Sequence, residues 1–523
     1  MLFLGALALL WLVSCKREDV GVTGALEWNQ LAEGGLSLTP NPHGNAPLVA
    51  LVTFQTREPC TVDIRVEGAI PISHTFSEVA DQFEIPILGL YPDANNQVKL
   101  TIHNVQGEYA DTTLTISTDP LSERFPEIRT EIFSPGLMEP GLTFSELMIS
   151  NFGDFQTFPV MYDQTGTVRW FLDLSVTLDR YSTPIQRLKN GNLYFANNGH
   201  IREFTMMGEQ INKWGVGSGY RAHHDLIELP NGNFVFPVQK YGTTIERDGT
   251  EVSSTEDFII EQDRNTGEIL TEWDLREYLD VDRTDVVDGQ GDWFHMNAIW
   301  YDETDETLIV SGRNQGLIKI NWDNELIWIL APHQGWGKAG HDGSGPETAP
   351  YLLTAVDASG APYSQEIQDG TEVSAAFDWS WGQHAPMRLP NGNIFVFDNG
   401  FNRHYGASGL YSRGVEYRVD EESMTVEQIW EYGTDRGAEL YSNIISDVDY
   451  LPQTGNRLIM PGNLRFSGGD AQAKVVEVTY PSGERVFEAS LIFRDVNVDG
   501  PPRWGQMDLV YRSGRMSLYP DLE

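Results

Sequence analysis

The sequence predicts an all-β protein: a six-bladed β-propeller preceded by a small β-sandwich. Three observations lead there. The first is composition. The 523 residues include 50 Gly, 27 Pro, 14 Trp, 20 Tyr and 24 Phe, with 40% hydrophobic residues, and short apolar runs repeatedly end in Asn-Gly or Asp-Gly turns. The second is a repeated phrase. Leu-Pro-Asn-Gly-Asn stands at 229–233 and 389–393, with His224 and His384 each five residues upstream. It returns as Leu-Lys-Asn-Gly-Asn at 188–192, with Thr183 in the matching position, and as Leu-Pro-Gln-Thr-Gly-Asn at 451–456, with Ser446 there. His295-Met-Asn297 opens a fifth copy. The third is a strand centred on an aromatic residue, found six times, at Trp170, Trp214, Trp273, Trp328, Trp430 and Phe487. Most copies lie about 40–60 residues apart, the length of one four-stranded blade. A β-solenoid or two sandwiches are the competing arrangements.

Taken in order, Leu2–Val13 is an apolar run, too short for a membrane-spanning helix of about 20 residues. It ends at Ser14-Cys15 and is followed by Lys16-Arg17, the pattern of a lipoprotein signal with Cys15 as the lipidated residue. The expectation is export and a lipid anchor, in the outer membrane, facing the periplasm or the cell surface. Cys60 is then the only other cysteine, so no internal disulfide is available, and its apolar strand setting reads as a buried small hydrophobe. Residues 24–125 alternate short strand-like runs with turns, including 47–54, 60–66, 98–103 and 112–116, and predict the sandwich. Residues 126–140 are proline-rich and read as a linker. Residues 141–523 carry the repeats and form the propeller. An insertion rich in Gly, Pro and Ser at about 331–372 doubles one repeat interval and predicts a long loop over one face.

The net charge is −41. That excludes a nucleic-acid partner, because phosphate contacts need clustered Lys and Arg, and reads as a solvated acidic surface.

In a propeller the innermost strands converge on the axis, so equivalent positions of successive blades face one another. Thr183, His224, His295, His384 and Ser446 would then ring one site. His223, Asn297 and Arg313 stand beside them in sequence. Buried imidazoles hydrogen-bonded between blades are one reading. A zinc or iron site is a second; Asp225 adjoins one histidine, but no carboxylate is apparent beside the other two. The third is a site for a sulfate- or phosphate-like oxyanion, held by imidazoles, Arg313 and Asn297, with one histidine as nucleophile.

The segments 86–93 (Pro-Ile-Leu-Gly-Leu-Tyr-Pro-Asp), 221–225 (Arg-Ala-His-His-Asp), 381–384 (Trp-Gly-Gln-His), 397–400 (Phe-Asp-Asn-Gly), 411–417 (Tyr-Ser-Arg-Gly-Val-Glu-Tyr) and 428–433 (Gln-Ile-Trp-Glu-Tyr-Gly) resemble the bacterial arylsulfate sulfotransferase family. The likeness spans nearly the whole mature chain. It implies transfer of a sulfo group from an aryl sulfate donor to a phenolic acceptor, with no cofactor, metal or nucleotide sulfate donor, and commonly a homodimer. By position it implies His384 as the transiently sulfated residue and His295, Asn297 and Arg313 as its sulfate-binding set. It also implies a site histidine from the 223–224 pair, with His224 favoured by its register, and Ser446 standing where the family has threonine. The members best known from this family carry a disulfide near the site, which this chain cannot form; that marks a divergent branch. His224 or His295 would move the proton, and Trp300 or Trp381 would stack on the aryl ring. A cell-surface propeller that binds sulfated or phenolic ligands without turnover is the alternative, as is a His-ligated metal enzyme.

Overall fold

A computed structural model describes residues 24–520 except 152, 153, 177, 179, 180, 248, 256, 286–289, 407, 408, 466–468 and 495–503. Cys15 and the apolar run before it lie outside the described residues. Among the described residues, strands account for 50% and helices for 6%. No helix among the described residues is long and apolar enough to cross a membrane.

The chain divides into two compact units. The first holds described residues up to Leu38, with Val52–Ile85 and Asn96–Ile116. The second holds Thr39–Leu51, Pro86–Asn95 and everything from Ser117 on. The expected boundary at 125 is therefore an interleaving rather than a single cut. In the N-terminal part six strands join by hydrogen bonds, in the order Ala25–Leu26, Tyr109–Ser117, Asn95–Asn104, Val49–Val66 and Ala32–Pro40, with Ile72–Leu88 also on Val49–Val66. Val49–Val66 runs straight through Pro59, where the sequence suggested two strands. Pro59 sits just before the paired stretch Cys60–Val66, so its missing N–H breaks no bond of that ladder. Cys60 is fully buried in this strand.

From Glu127 onward, six sheets of four or more strands follow one another among the described residues. Their first strands are Leu509–Met516, Gln186–Arg187, Ile227–Glu228, Met296–Asp302, His384–Arg388 and Asp447–Tyr450. Each Leu-Pro-Asn-Gly-Asn phrase makes the same turn between first and second strand. The N–H of Leu188, Leu229 and Leu389 donates to the carbonyl of Asn192, Asn233 and Asn393, each at 2.8 Å. The turn glycines have φ of 86°, 87° and 88°, a conformation only glycine adopts at no steric cost. The six aromatic phrases all fall in the fourth strand of their sheets. There Trp170, Trp273, Trp328 and Trp430 reach the next sheet, donating their indole N–H to Met206 O, Asn321 O, the Glu421 carboxylate and Pro481 O at 2.8–3.0 Å. One residue type at one strand position thus spaces neighbouring sheets with a large buried ring and a satisfied polar edge.

Hydrogen bonds near the first strands close a cycle. Glu146 of the first sheet accepts from Thr183 Oγ1 and Ile185 N. Gln186 donates to Asp225, and Asp225 accepts from Ile299 N. Asn297 donates to Gln383 O, Asn399 to Ser442 O, and Ser513 N to Asp447, which returns to the first sheet. Six sheets linked each to the next, and the last to the first, are consistent with the expected propeller.

The segment read as a linker is not one. Glu127–Phe133 pairs with Arg485–Ile492 as the fifth strand of the sixth sheet, while the C-terminal Leu509–Met516 pairs with Leu142–Asn151 in the first. Both ends of this region are held by strands from the far end of the chain. Within the long insertion, Thr354–Ala355 adds a parallel strand beside Thr425–Tyr432 on the outer side of the fifth sheet.

Candidate active site

The ring positions share a backbone device. His224, His295 and Ser446 precede or open the first strands of their sheets with φ of 55°, 53° and 92°, and Ala385, next to His384, has 50°. Non-glycine residues held this way cost free energy and concentrate at sites of function.

Three of the sheets bring their histidines together. The His224 ring lies 5.1 Å from that of His295 and 5.1 Å from that of His223, and Nδ1 of His223 and Nδ1 of His224 are 2.9 Å apart. His384 and His295 both act electrostatically on His224, and Arg313 and His295 on His384. Burial, followed by the neighbouring imidazoles, holds His224 well below the usual histidine range and pushes His223 down to about 3. Burial, then the Arg313 charge, does the same to His384. These three imidazoles are neutral at physiological pH.

His384 is 6% exposed, and its Nδ1 lies 2.8 Å from Asn399 Oδ1 and 3.2 Å from Gly382 O. Both partners are carbonyl oxygens that can only accept. Nδ1 therefore carries the proton, and Nε2 carries the lone pair. His295 has a different partner: its Nδ1 is 2.8 Å from the Asp292 carboxylate, with side chains 22% and 37% exposed. A carboxylate does stand beside a second histidine, three residues upstream, contrary to the sequence expectation. Among the described residues, no group of three or more His, Cys, Asp or Glu side chains has the geometry to hold a metal ion.

Arg313 donates its backbone N–H to His295 O at 3.0 Å and its guanidinium to Asn443 O at 3.4 Å, and it lies 5.1 Å over the Phe401 ring. Asn297 is 1% exposed, and its amide donates to Gln383 O at 2.7 Å. Ser311 donates to the same oxygen, and Gln383 donates to Gly312 O at 2.9 Å. The residue before His384 is thus clamped by three bonds from the fourth sheet. Gln383, Asn399 and Asp292 were not singled out from sequence, although the first two lie in the distinctive segments 381–384 and 397–400.

Other expectations shift. Ser446 is 2% exposed; its hydroxyl donates to Ser442 Oγ at 2.8 Å and accepts from Gly462 N at 3.0 Å. Thr183 is bonded to Glu146. Asp225 is paired with Arg512 through both carboxylate oxygens. Trp381 is 1% exposed, packed edge-on against His404 and Tyr405, and cannot stack on a substrate. Trp300 lines a cavity of about 820 Å3 bounded by strands of all six sheets; its lining includes Asp225 and Ala385, each one residue past a histidine, but none of the histidines themselves.

Residues 130–495 match the family model described as Arylsulfotransferase (ASST). The chain belongs to the arylsulfotransferase family. Residues 37–119 match the arylsulfotransferase Ig-like domain, which fits the N-terminal strands. Among curated proteins, the arylsulfate sulfotransferase AssT of Escherichia coli O6:H1 is 28% identical, over 86% of this chain and 89% of that one. The AssT of Lelliottia amnigena is 27% identical, over 87% and 90%. Among solved structures, a Bacteroides caccae protein of unknown function aligns at 11% identity and TM-score 0.39, over 72% of this chain and 98% of that one, too remote to carry an argument. This arylsulfotransferase is an aryl sulfate-dependent enzyme, and its histidine cluster is the candidate site of transfer.

Proposed function

We propose that the enzyme moves a sulfo group from an aryl sulfate to a phenolic acceptor in two half-reactions, through a sulfated His384. The observation that carries this reading is the setting of His384: buried, with Nδ1 on the carbonyl oxygens of Gly382 and Asn399, which leaves Nε2 the lone pair, and with burial and the Arg313 charge holding the ring well below the usual histidine range. In the first half-reaction Nε2 attacks sulfur and the bond from sulfur to the aryl oxygen breaks. Arg313, with the second N–H of Asn297, stabilises charge on the sulfuryl oxygens. In its imidazolium form, supported by the Asp292 carboxylate, His295 gives its Nε2 proton to the departing phenoxide. In the second half an acceptor phenol returns a proton to His295 and attacks sulfur, and His384 leaves neutral as it began.

His295 rather than His224 suits the proton transfer. Burial and three neighbouring imidazoles disfavour charge on His224, whereas His295 has a carboxylate to support its cation. We also infer that the chain is exported and anchored through lipidated Cys15.

The test is turnover of a chromogenic aryl sulfate with and without added phenol. Ping-pong kinetics are expected, with a burst of about one phenol per site when no acceptor is present. A single binding event without phenol release would favour a ligand-binding protein. Steady release unaffected by acceptors would mean hydrolysis without transfer.

A further inference from the structure

Resting on His384 as the nucleophile, we propose that Asn399 is its positioning residue: the neutral amide carbonyl fixes the imidazole tautomer while keeping the ring uncharged, and so separates the nucleophile His384 from the acid–base His295.

The orientation of Asn399 is determined by its surroundings. Its amide nitrogen donates to Ser442 O at 2.8 Å and to Ile445 O at 2.9 Å, which uses both N–H bonds. Oδ1 is therefore the atom turned to His384 Nδ1. A flipped amide would set Oδ1 against the carbonyl oxygens of Ser442 and Ile445, neither of which can donate. The backbone is held as firmly. Ser412 Oγ donates to Asn399 O at 2.7 Å, and Asp398 accepts from Trp381 N and Gly400 N at 2.9 and 3.0 Å. Asp398 in turn is bound by Arg403 and Arg413 at 2.7 and 2.8 Å. Gly400, at φ 70°, turns so tightly that a Cβ there would come within 2.1 Å of Tyr411 O. Asn399 is fully buried. This network converges on one ring nitrogen, His384 Nδ1.

The chemistry explains why the partner is an amide. A base that must become cationic is helped by a carboxylate, as at His295. A nucleophile must instead keep its Nε2 lone pair, and a buried carboxylate would draw a second proton onto the ring. After attack, the sulfated ring is cationic, with its proton still on Nδ1 and hydrogen-bonded to Asn399. From that cationic adduct the ring departs as neutral imidazole, a good leaving group from sulfur. A carboxylate in place of the amide would take that proton, leaving a neutral sulfoimidazole with a stronger nitrogen–sulfur bond.

The test uses the full-length protein. In wild type labelled with 15N in its histidine rings, long-range 1H–15N correlation should show the His384 ring, assigned by its loss in His384→Ala, protonated at Nδ1 only. Asn399→Ala should lower the burst rate about 10- to 100-fold with little change in donor KM, the usual cost of an orienting partner. Asn399→Asp should lose its burst at a higher pH than wild type on acidification. Its sulfated form should also outlive the wild-type adduct by about 10-fold or more when phenol is added. A wild-type His384 protonated on Nε2 overturns the proposal. So does an Asn399→Asp adduct with wild-type lifetime and an unshifted acid limb, which would mark a purely structural residue. If the wild-type adduct maps to a residue other than His384, the reading of the site itself fails, whatever the Asn399 variants do.

Discussion

Replacing Asp292 with Asn removes a charge and leaves its shape, so it isolates what the carboxylate contributes to His295. The amide oxygen can still accept from Nδ1, and the tautomer is retained. What is lost is the attraction between a carboxylate and the imidazolium that serves as proton donor, groups in contact at 2.8 Å. For charges centred about 4 Å apart, that attraction is about 1–4 kcal/mol between bulk water and a protein-surface dielectric. Asp292 is 37% exposed and His295 22%, so the lower part of the range applies, about 1–2 kcal/mol after screening. This corresponds to about 5- to 30-fold in a step limited by proton donation. The assay is burst kinetics over a series of aryl sulfates whose phenols span a range of acidity. Nitrophenyl sulfate, with a stable phenoxide, should lose almost nothing. Phenyl or alkyl-substituted phenyl sulfates should approach the full loss. A uniform loss across the series, or none with the poorest leaving group, would refute the assignment of His295 and Asp292 as the proton-transfer pair.

Arg313→Ala should slow the burst by about 10²–10³, the cost of one lost donor at a developing oxyanion, while the adduct still forms on the same residue. Because the Arg313 charge is the second cause of the lowered His384 pKa after burial, the same variant should also lose activity at a higher pH on acidification. Glu146 is raised to about 8 by burial. An acid held protonated in the fold contributes stability that is full below the unfolded pKa of about 4.3 and is lost as pH rises toward 8. Thermal unfolding across that window should therefore fall more steeply in wild type than in Glu146→Gln, and equal slopes would contradict the shift. Cys15→Ser should move the protein from the membrane fraction to the soluble fraction; an already soluble wild type would contradict the anchor.

Much of the fold was legible because its two repeated phrases encode fixed backbone tasks. Leu-Pro-Asn-Gly-Asn needs a left-handed glycine between the first two strands of a sheet, and the aromatic phrase marks a fourth strand that must pack on the next sheet. Counting these gave the number of sheets and the register of the histidines. The strand Glu127–Phe133 was hidden by flanking prolines, and by a pattern in which alternate residues are only half-buried. It is an edge strand whose partner lies more than 350 residues away. Asp292 was missed for a local reason. A residue three positions upstream would lie about 10 Å away along a strand, but the left-handed turn at His295 folds the chain back on itself. Asn399 was out of reach for another: it stands one strand and 15 residues from His384, and nothing in its own periodicity sets a buried amide apart from an ordinary turn asparagine. Ser446 was read from register and from the family's threonine position, neither of which carries the hydrogen bonds its hydroxyl makes with Ser442 and Gly462.

The central claim is that His384 carries the sulfo group. The enzyme should be mixed with an aryl sulfate in the absence of acceptor, quenched under mildly alkaline conditions that preserve phosphoramidate-like nitrogen–sulfur bonds, digested, and mapped by mass spectrometry. The account predicts one sulfo group per chain, on the peptide containing His384, lost when phenol is added before the quench and absent from His384→Ala. An adduct that persists in His384→Ala, or that maps to His224 or His295 in wild type, would contradict it.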